Sequence, residues 1–381
     1  MGGLRQALAG TVTAMVGLVA VLVPPASASG MIRVAIVENA RVAELRGTNI
    51  EVSELGCPGC APRPAWRADV VRAVVNGQGV EIDCRRAAGF RLASERPIRM
   101  NGREYPAALE LVKNGEGMAI VNELPLEDYV VGVLRAETGE RWPAEMLRAQ
   151  AIVARTYAAY HRVLNAAKPY HLGASTAHQV YAGRVPAASP ILDAARDTSG
   201  QVLFWEGELF PAFYHSASGG YTEDPRTVFA ARNMPGLRAI RDEFSSGSPH
   251  FTWSLDLRLT DLAGILRRHG VDVGPITAIE ISERTPSLRA SVLTIHGARG
   301  SARVRGNDLR RMVGYETIKS TLFAVAVDGA MARFAGRGYG HGVGMSQWGA
   351  KGMAEQGHKA EKILEYYYPG TTLGSLNRSA Q

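Results

Sequence analysis

The sequence predicts an α+β protein with mixed, largely antiparallel sheets and helices set between them. Three observations carry this. Ile32–Val37 is rich in β-branched residues of high strand propensity. Leu126, Tyr129, Val130, Val133 and Leu134 recur at helical spacing. Gln201–Trp205 and Leu209–Tyr214 flank Glu206-Gly207-Glu208, which reads as a hairpin. Helices mixed with hairpins, without regular strand–helix alternation, argue for segregated antiparallel sheet.

Taken in order, residues 1–28 form a leader. Arg5 precedes an uncharged run from Gln6 to Val23, then Pro24-Pro25 and Ala26-Ser27-Ala28. A positive start, an apolar middle and small residues at A-x-A predict export, with cleavage after Ala28. An uncleaved membrane anchor is the alternative, and only then would the chain touch the membrane. Both readings put the rest of the chain outside the cytoplasm, in the periplasm or cell wall.

Residues 30–115 read as a β-rich region of short strands punctuated by Gly and Pro. The character changes near Asn122, and residues 116–375 form the second region. Pro125 opens a helix from Leu126 to Glu137, which Gly139 ends; Pro143 opens a longer one that closes before Pro169. A short helix follows near Ile191–Asp197, then the hairpin, then a helix at Thr260–His269. Strands are predicted at Ile276–Ile281, Ser291–His296, Ala302–Val304 and Phe323–Val327, and a helix at Ala360–Tyr368.

The 381 residues suffice for a substantial core, and 46% hydrophobic with 21% charged residues is ordinary for a globular protein. The net charge of +7 is scattered, with no basic tail and no nucleic-acid motif, so a nucleic-acid partner is not expected. There are three cysteines, Cys57, Cys60 and Cys84. In an exported protein the expected use is a bridge from Cys84 to Cys57 or Cys60. Cys57-Pro58-Gly59-Cys60 has no second pair to complete a zinc site.

Three segments carry more His, Ser, Gln and Gly than helices and strands require. They are Val133–Tyr157 (VLRAETGERWPAEMLRAQAIVARTY), Phe213–Glu223 (FYHSASGGYTE) and Gly338–Ala350 (GYGHGVGMSQWGA). Loops that meet a ligand with backbone and polar side chains have this composition. Glu137 ends a helix, where the dipole disfavours a carboxylate, and an apolar wall would act in the same direction. A carboxyl group kept neutral near pH 7 is what a general acid requires. His215–Ser216–Ser218 is a weak signal for a serine hydrolase, because G-x-S-x-G does not occur, and no G-K-[ST] follows the glycines of 336–344 to make a phosphate loop. Arg155 reads as an ion-pair residue, Tyr157 as core, and Trp348 as either core or a platform for a sugar ring.

In this order and spacing the three segments resemble the stage II sporulation protein D / amidase-enhancer (SpoIID/LytB) family. Asn122–Val133, Thr198–Leu203, Lys319–Phe323 and Ile363–Thr371 add to the match. The resemblance implies a two-lobed architecture and a lytic transglycosylase. Such an enzyme cleaves the MurNAc–GlcNAc bond of peptide-stripped glycan strands and leaves 1,6-anhydro-MurNAc ends. Glu137 matches the family's catalytic glutamate. His215, Ser216, Ser218, His341, Ser346 and Gln347 are the candidate substrate-binding residues. No cofactor is implied; the implied partners are glycan strands and an N-acetylmuramoyl-L-alanine amidase. In the enhancer branch the protein would grip glycan and stimulate that amidase without cutting.

The chain departs from the family twice. Glu137-Thr138-Gly139 replaces the common Glu-Met-Pro. Where some members have two zinc-binding cysteines before Gln-Val-Tyr, this chain has Gly173 and His178 before Gln179-Val180-Tyr181. His171 and His178 are too few for a structural site, so no zinc is expected there. A metal-dependent hydrolase using these two histidines is the remote alternative.

Overall fold

The computed structural model describes residues 30–376 except 57–63, 78, 175–178, 182, 184–188 and 230–235. The predicted leader, Cys57, Cys60 and His178 lie outside the described residues, and with them the cysteine pairing and the two-histidine metal site. Among the described residues no helix is long and apolar enough to cross a membrane.

The N-terminal half is an eleven-stranded sheet. Its strands are β1 (Met31–Ala40), β2 (Val42–Leu55), β3 (Trp66–Asn76), β4 (Gly79–Ile82), β5 (Arg85–Ala87), β6 (Gly89–Ala93), β7 (Ile98–Met100), β8 (Arg103–Tyr105), β9 (Ala108–Asn114), β10 (Gly117–Pro125) and β11 (Leu172–Gly173). The main path runs β11-β1-β10-β9-β6-β2-β3-β4-β5, with β7 paired to β2 and β8 to β7. All pairs are antiparallel except β1 with β11. The expected region boundary at residue 116 falls in the β9–β10 turn, so this sheet runs on into the second region.

Eight helices follow among the described residues: α1 (Leu126–Glu137), α2 (Ala144–Leu164), α3 (Pro190–Asp197), α4 (Pro225–Phe229), α5 (Leu259–Arg268), α6 (Gly306–Val313), α7 (Gln347–Glu355) and α8 (Ala360–Tyr367). Pro125 and Pro143 stand at the N-caps of α1 and α2, one position earlier than the first helical turn. The predicted apolar stripe of α1 is fully buried. Gly132 lies mid-helix because a Cβ there would stand 2.3 Å from the Tyr181 ring.

α2 is the shared wall of the molecule. Leu147, Ala151, Ala154 and Ala158 face the first core, with the sheet and α1. Met146, Ala149, Ile152 and Val153 face a second core with α7 and α8. A helix apolar on all sides belongs inside a protein. Its Arg155, 0% exposed, is held by Glu127 of α1 at 2.7 Å, as an ion-pair residue should be.

The remaining strands are short. β12 (Gln201–Trp205) pairs with β13 (Glu208–Leu209) and β22 (Thr372–Ser375). The hairpin exists, but its second strand is two residues long. Glu206 and Gly207 form the turn, both at positive φ, the geometry that suits a two-residue hairpin loop. The chain then leaves the sheet, and β14 (Tyr214–His215) pairs in parallel with β21 (Met345–Ser346). A third core fills a unit of α5 and α6 with two three-stranded sheets. These consist of β15 (Thr252–Arg258), β20 (Met331–Arg337) and β19 (Phe323–Asp328), and of β16 (Ile276–Arg284), β17 (Ala290–Gly297) and β18 (Gly300–Arg305).

Candidate functional site

Glu137 is the last residue of α1. Thr138 ends the helix with its N–H and Oγ1 both on the Leu134 carbonyl, at 2.9 and 2.7 Å. Gly139 leaves room for the Trp142 ring, which stands 2.8 Å from where a Cβ would be. The turn between α1 and α2 therefore folds an indole back beside the carboxyl group.

The carboxyl is half-buried and held from three directions. Oε1 accepts the Val180 N–H at 2.8 Å, and Oε2 lies 3.4 Å from Gln347 Nε2. The Tyr214 hydroxyl is buried beside it without a hydrogen bond of normal geometry. Burial pushes the Glu137 pKa above the usual glutamate value, against the opposing pull of Val180, Gln347 and Tyr214. The upward direction matches the expectation from the helix end, but its leading cause is desolvation. Tyr129, fully buried, donates to Gln179 Oε1 at 3.0 Å, which fixes the segment that carries Val180.

The parallel β14–β21 ladder pairs Tyr214 with Met345 and His215 with Ser346. It sets Tyr214 and Gln347 side by side against Glu137. Bridges from Ala217 to Tyr339 and from Glu223 to Val343 extend the contact between the two glycine-rich segments.

The six residues expected to touch a ligand divide on inspection. Gln347 reaches Glu137. Ser216 is half-buried, and its carbonyl accepts the Trp348 N–H at 3.0 Å. Ser218 and Ser346 lie inside instead: both are fully buried and their hydroxyls are committed to the protein. Ser218 Oγ donates to Asp242 at 2.6 Å and meets Ser245 at 2.9 Å. Ser346 caps α7 by accepting the Gly349 N–H, and it also accepts the Ser218 N–H. His215, 4% exposed, is likewise internal, with Nδ1 at 3.2 Å from the Val343 carbonyl. His341 accepts the Val343 N–H at 3.0 Å, and burial followed by the Arg310 and Arg289 charges pushes its pKa down to about 3. Both imidazoles brace loops through these backbone contacts.

Sequence reasoning missed Val180, Tyr214 and Tyr129. Gln179-Val180-Tyr181 stood out only as the marker of a lost metal site; a backbone N–H leaves no mark in a sequence. Trp142 and Trp348 are half-buried and pack edge-to-face at 5.3 Å, with Lys351 over Trp348. Among the described residues no group of three or more His, Cys, Asp or Glu side chains could hold a metal. His171 Nδ1 accepts the Arg33 N–H.

An α+β fold that closes remote segments on one half-buried carboxyl defines a protein with a single-carboxyl candidate site. The chain belongs to the SpoIID family. The family profile, Stage II sporulation protein, matches residues 114–205, and a domain of unknown function (DUF8618) matches residues 231–344. An uncharacterized protein of Brachyspira hyodysenteriae is 32% identical, over 76% of this chain and 77% of its own. The stage II sporulation protein D of Bacillus amyloliquefaciens is 30% identical, over 68% and 76%. The amidase enhancer of Bacillus subtilis is 30% identical over 64% of this chain and 40% of its own.

Proposed function

We propose that this protein is an exported peptidoglycan lytic transglycosylase with Glu137 as its acid and base. Family membership suggests a cell-wall-related role, in sporulation or in amidase enhancement. The observation that favours catalysis is the Glu137 carboxyl itself: burial raises its pKa, Oε1 is fixed by a backbone N–H, and Oε2 lies within reach of the Gln347 amide.

One carboxyl suffices for this reaction. Hydrolysing glycosidases use two carboxyl groups about 5–9.5 Å apart. A lytic enzyme binds no water, because the MurNAc 6-hydroxyl attacks C1. Protonated Glu137 gives its proton to the glycosidic oxygen as the C1–O bond breaks. The resulting carboxylate takes the 6-hydroxyl proton as O6 bonds to C1, and the acid is regenerated. Gln347 and Tyr214 hold the carboxyl through this change. Ser216 and the Trp142–Trp348 pair are proposed to contact the sugar.

The deciding experiment digests peptide-stripped glycan and weighs the products. Wild type yields 1,6-anhydro-MurNAc ends and Glu137→Gln yields about 10²–10⁴-fold fewer. If wild type yields none from any glycan, the enzyme reading is lost.

The second reading is a non-catalytic glycan-binding protein that stimulates a partner amidase, favoured by the relative named amidase enhancer. It predicts that Glu137→Gln stimulates an amidase as well as wild type does.

A further inference from the structure

The turn that joins β16 to β17 points into the molecule. Thr285 and Ser287 donate their hydroxyls to Glu223 Oε2 at 2.6 and 2.7 Å. Arg289, 1% exposed, passes beneath both glycine-rich segments. Its Nη2 donates to the carbonyls of Ser218 at 2.8 Å and Tyr221 at 3.0 Å. Gly342 lies directly on the guanidinium, which is 2.8 Å from where its Cβ would stand. Two of the three guanidinium nitrogens have no hydrogen-bonding partner among the described residues. A buried charge so incompletely paired costs stability, so its presence calls for a purpose other than stability.

A continuous chain of contacts leads from Arg289 to the carboxyl group. Arg289 holds the Ser218 carbonyl, and the Ser218 N–H donates to Ser346 Oγ at 3.2 Å. Ser346 caps α7, whose first residue is Gln347, and Gln347 reaches Glu137. The segments in between hold Gly219, Gly220, Gly338, Gly340, Gly342 and Gly344, all at positive φ. Backbone this rich in glycine does not hold one conformation unaided.

We propose that Arg289 is a positioning residue that pins both glycine-rich loops, so that Tyr214 and Gln347 stand against Glu137. The unit of α5, α6 and their two sheets then acts as a clamp on the site. For catalysis this rests on Glu137 being the working group; the clamp itself does not.

Arg289→Met and Arg289→Lys are compared with wild type by amide hydrogen exchange, and by kcat and KM on peptide-stripped glycan. In folded Arg289→Met, amides of 214–222 and 339–349 should exchange about tenfold faster. Amides of β1, β9 and β10 should keep their rates. The kcat should fall about tenfold with KM near wild type, and Arg289→Lys should recover part of both losses. Unchanged exchange in the two loops overturns the proposal, as does an equal rise throughout the protein. Should Arg289→Met not fold, the Thr285→Val, Ser287→Ala double variant frees the turn from Glu223 and is measured in the same way. Loop-confined acceleration there supports the clamp; unchanged or uniform exchange overturns it. A wild type that cuts no glycan removes the lytic reading alone, because exchange is read without substrate.

Discussion

Gln347 Nε2 lies 3.4 Å from Glu137 Oε2, across 210 residues of chain. With Oε1 taken by Val180, this amide is the side-chain neighbour of the oxygen that remains for a proton. A primary amide donates to a carboxylate and, turned over, accepts from the acid. One residue therefore serves both protonation states of a carboxyl that must act as acid and then as base.

Replacing Glu137 separates activity from stability. Glu137→Gln should lower glycan cleavage by about 10²–10⁴-fold, measured by release of anhydro-MurNAc ends. The same change should raise the melting temperature at neutral pH. Above the ordinary glutamate value of 4.5 the unfolded chain loses its proton before the folded one, so the wild-type carboxyl costs stability that grows until pH passes its raised native pKa and persists above it. Scans at pH 7 and pH 3.5 should show the gain at the first and none at the second.

The pH–rate profile should have one controlling limb. The form that begins the reaction is the acid, so kcat/KM should fall as pH rises through the raised Glu137 pKa. His341, pushed down to about 3, and His215, pushed well below the usual histidine value by burial, add no limb between pH 5 and 8. A His341→Asn enzyme that keeps its fold should show a profile of unchanged shape; a lost limb near pH 6.5 would contradict this.

Gln347→Leu removes a hydrogen bond that lowers the Glu137 pKa. The alkaline limb should move to higher pH while the maximal rate falls. A limb that stays in place would mean that Gln347 does not govern the carboxyl.

Ser346→Ala should destabilise the protein by about 1–2 kcal/mol in urea unfolding, since it removes an N-cap and leaves the buried Ser218 N–H without its acceptor. A ligand-binding serine would instead change KM with little effect on stability.

Glu127→Ala should be costlier, about 3–5 kcal/mol, because it strands the fully buried Arg155 beneath α1. Urea unfolding of the same kind checks it.

Much of the fold was legible because local signals agreed with the final packing. Pro125 and Gly139 bracket α1, and its stripe of Leu126, Tyr129, Val130, Val133 and Leu134 faces the core. The strand predicted at Leu209–Tyr214 failed because its residues leave one sheet and reach another, a choice set by distant Met345 and Ser346. Helix α7 was hidden in a segment read as loop, since Gly349 and Gly352 depress helix propensity there. Both glycines are needed by neighbours: a Cβ on Gly349 would stand 1.9 Å from the Tyr367 hydroxyl, and one on Gly352 would stand 2.3 Å from the Phe244 carbonyl.

The sequence by itself determined the α+β class, the ends of α1, the three unusual segments and Glu137 as the carboxyl to watch. Each is written in residue type and short-range spacing. Only the tertiary structure decided that Val180, Tyr214 and Gln347 surround that carboxyl, and that Ser218, Ser346 and His215 lie inside as braces. A serine that caps a helix and a serine that binds a sugar are the same letter. What distinguishes them is which buried donors lack partners nearby, and that is settled when residues far apart in the chain exclude water together.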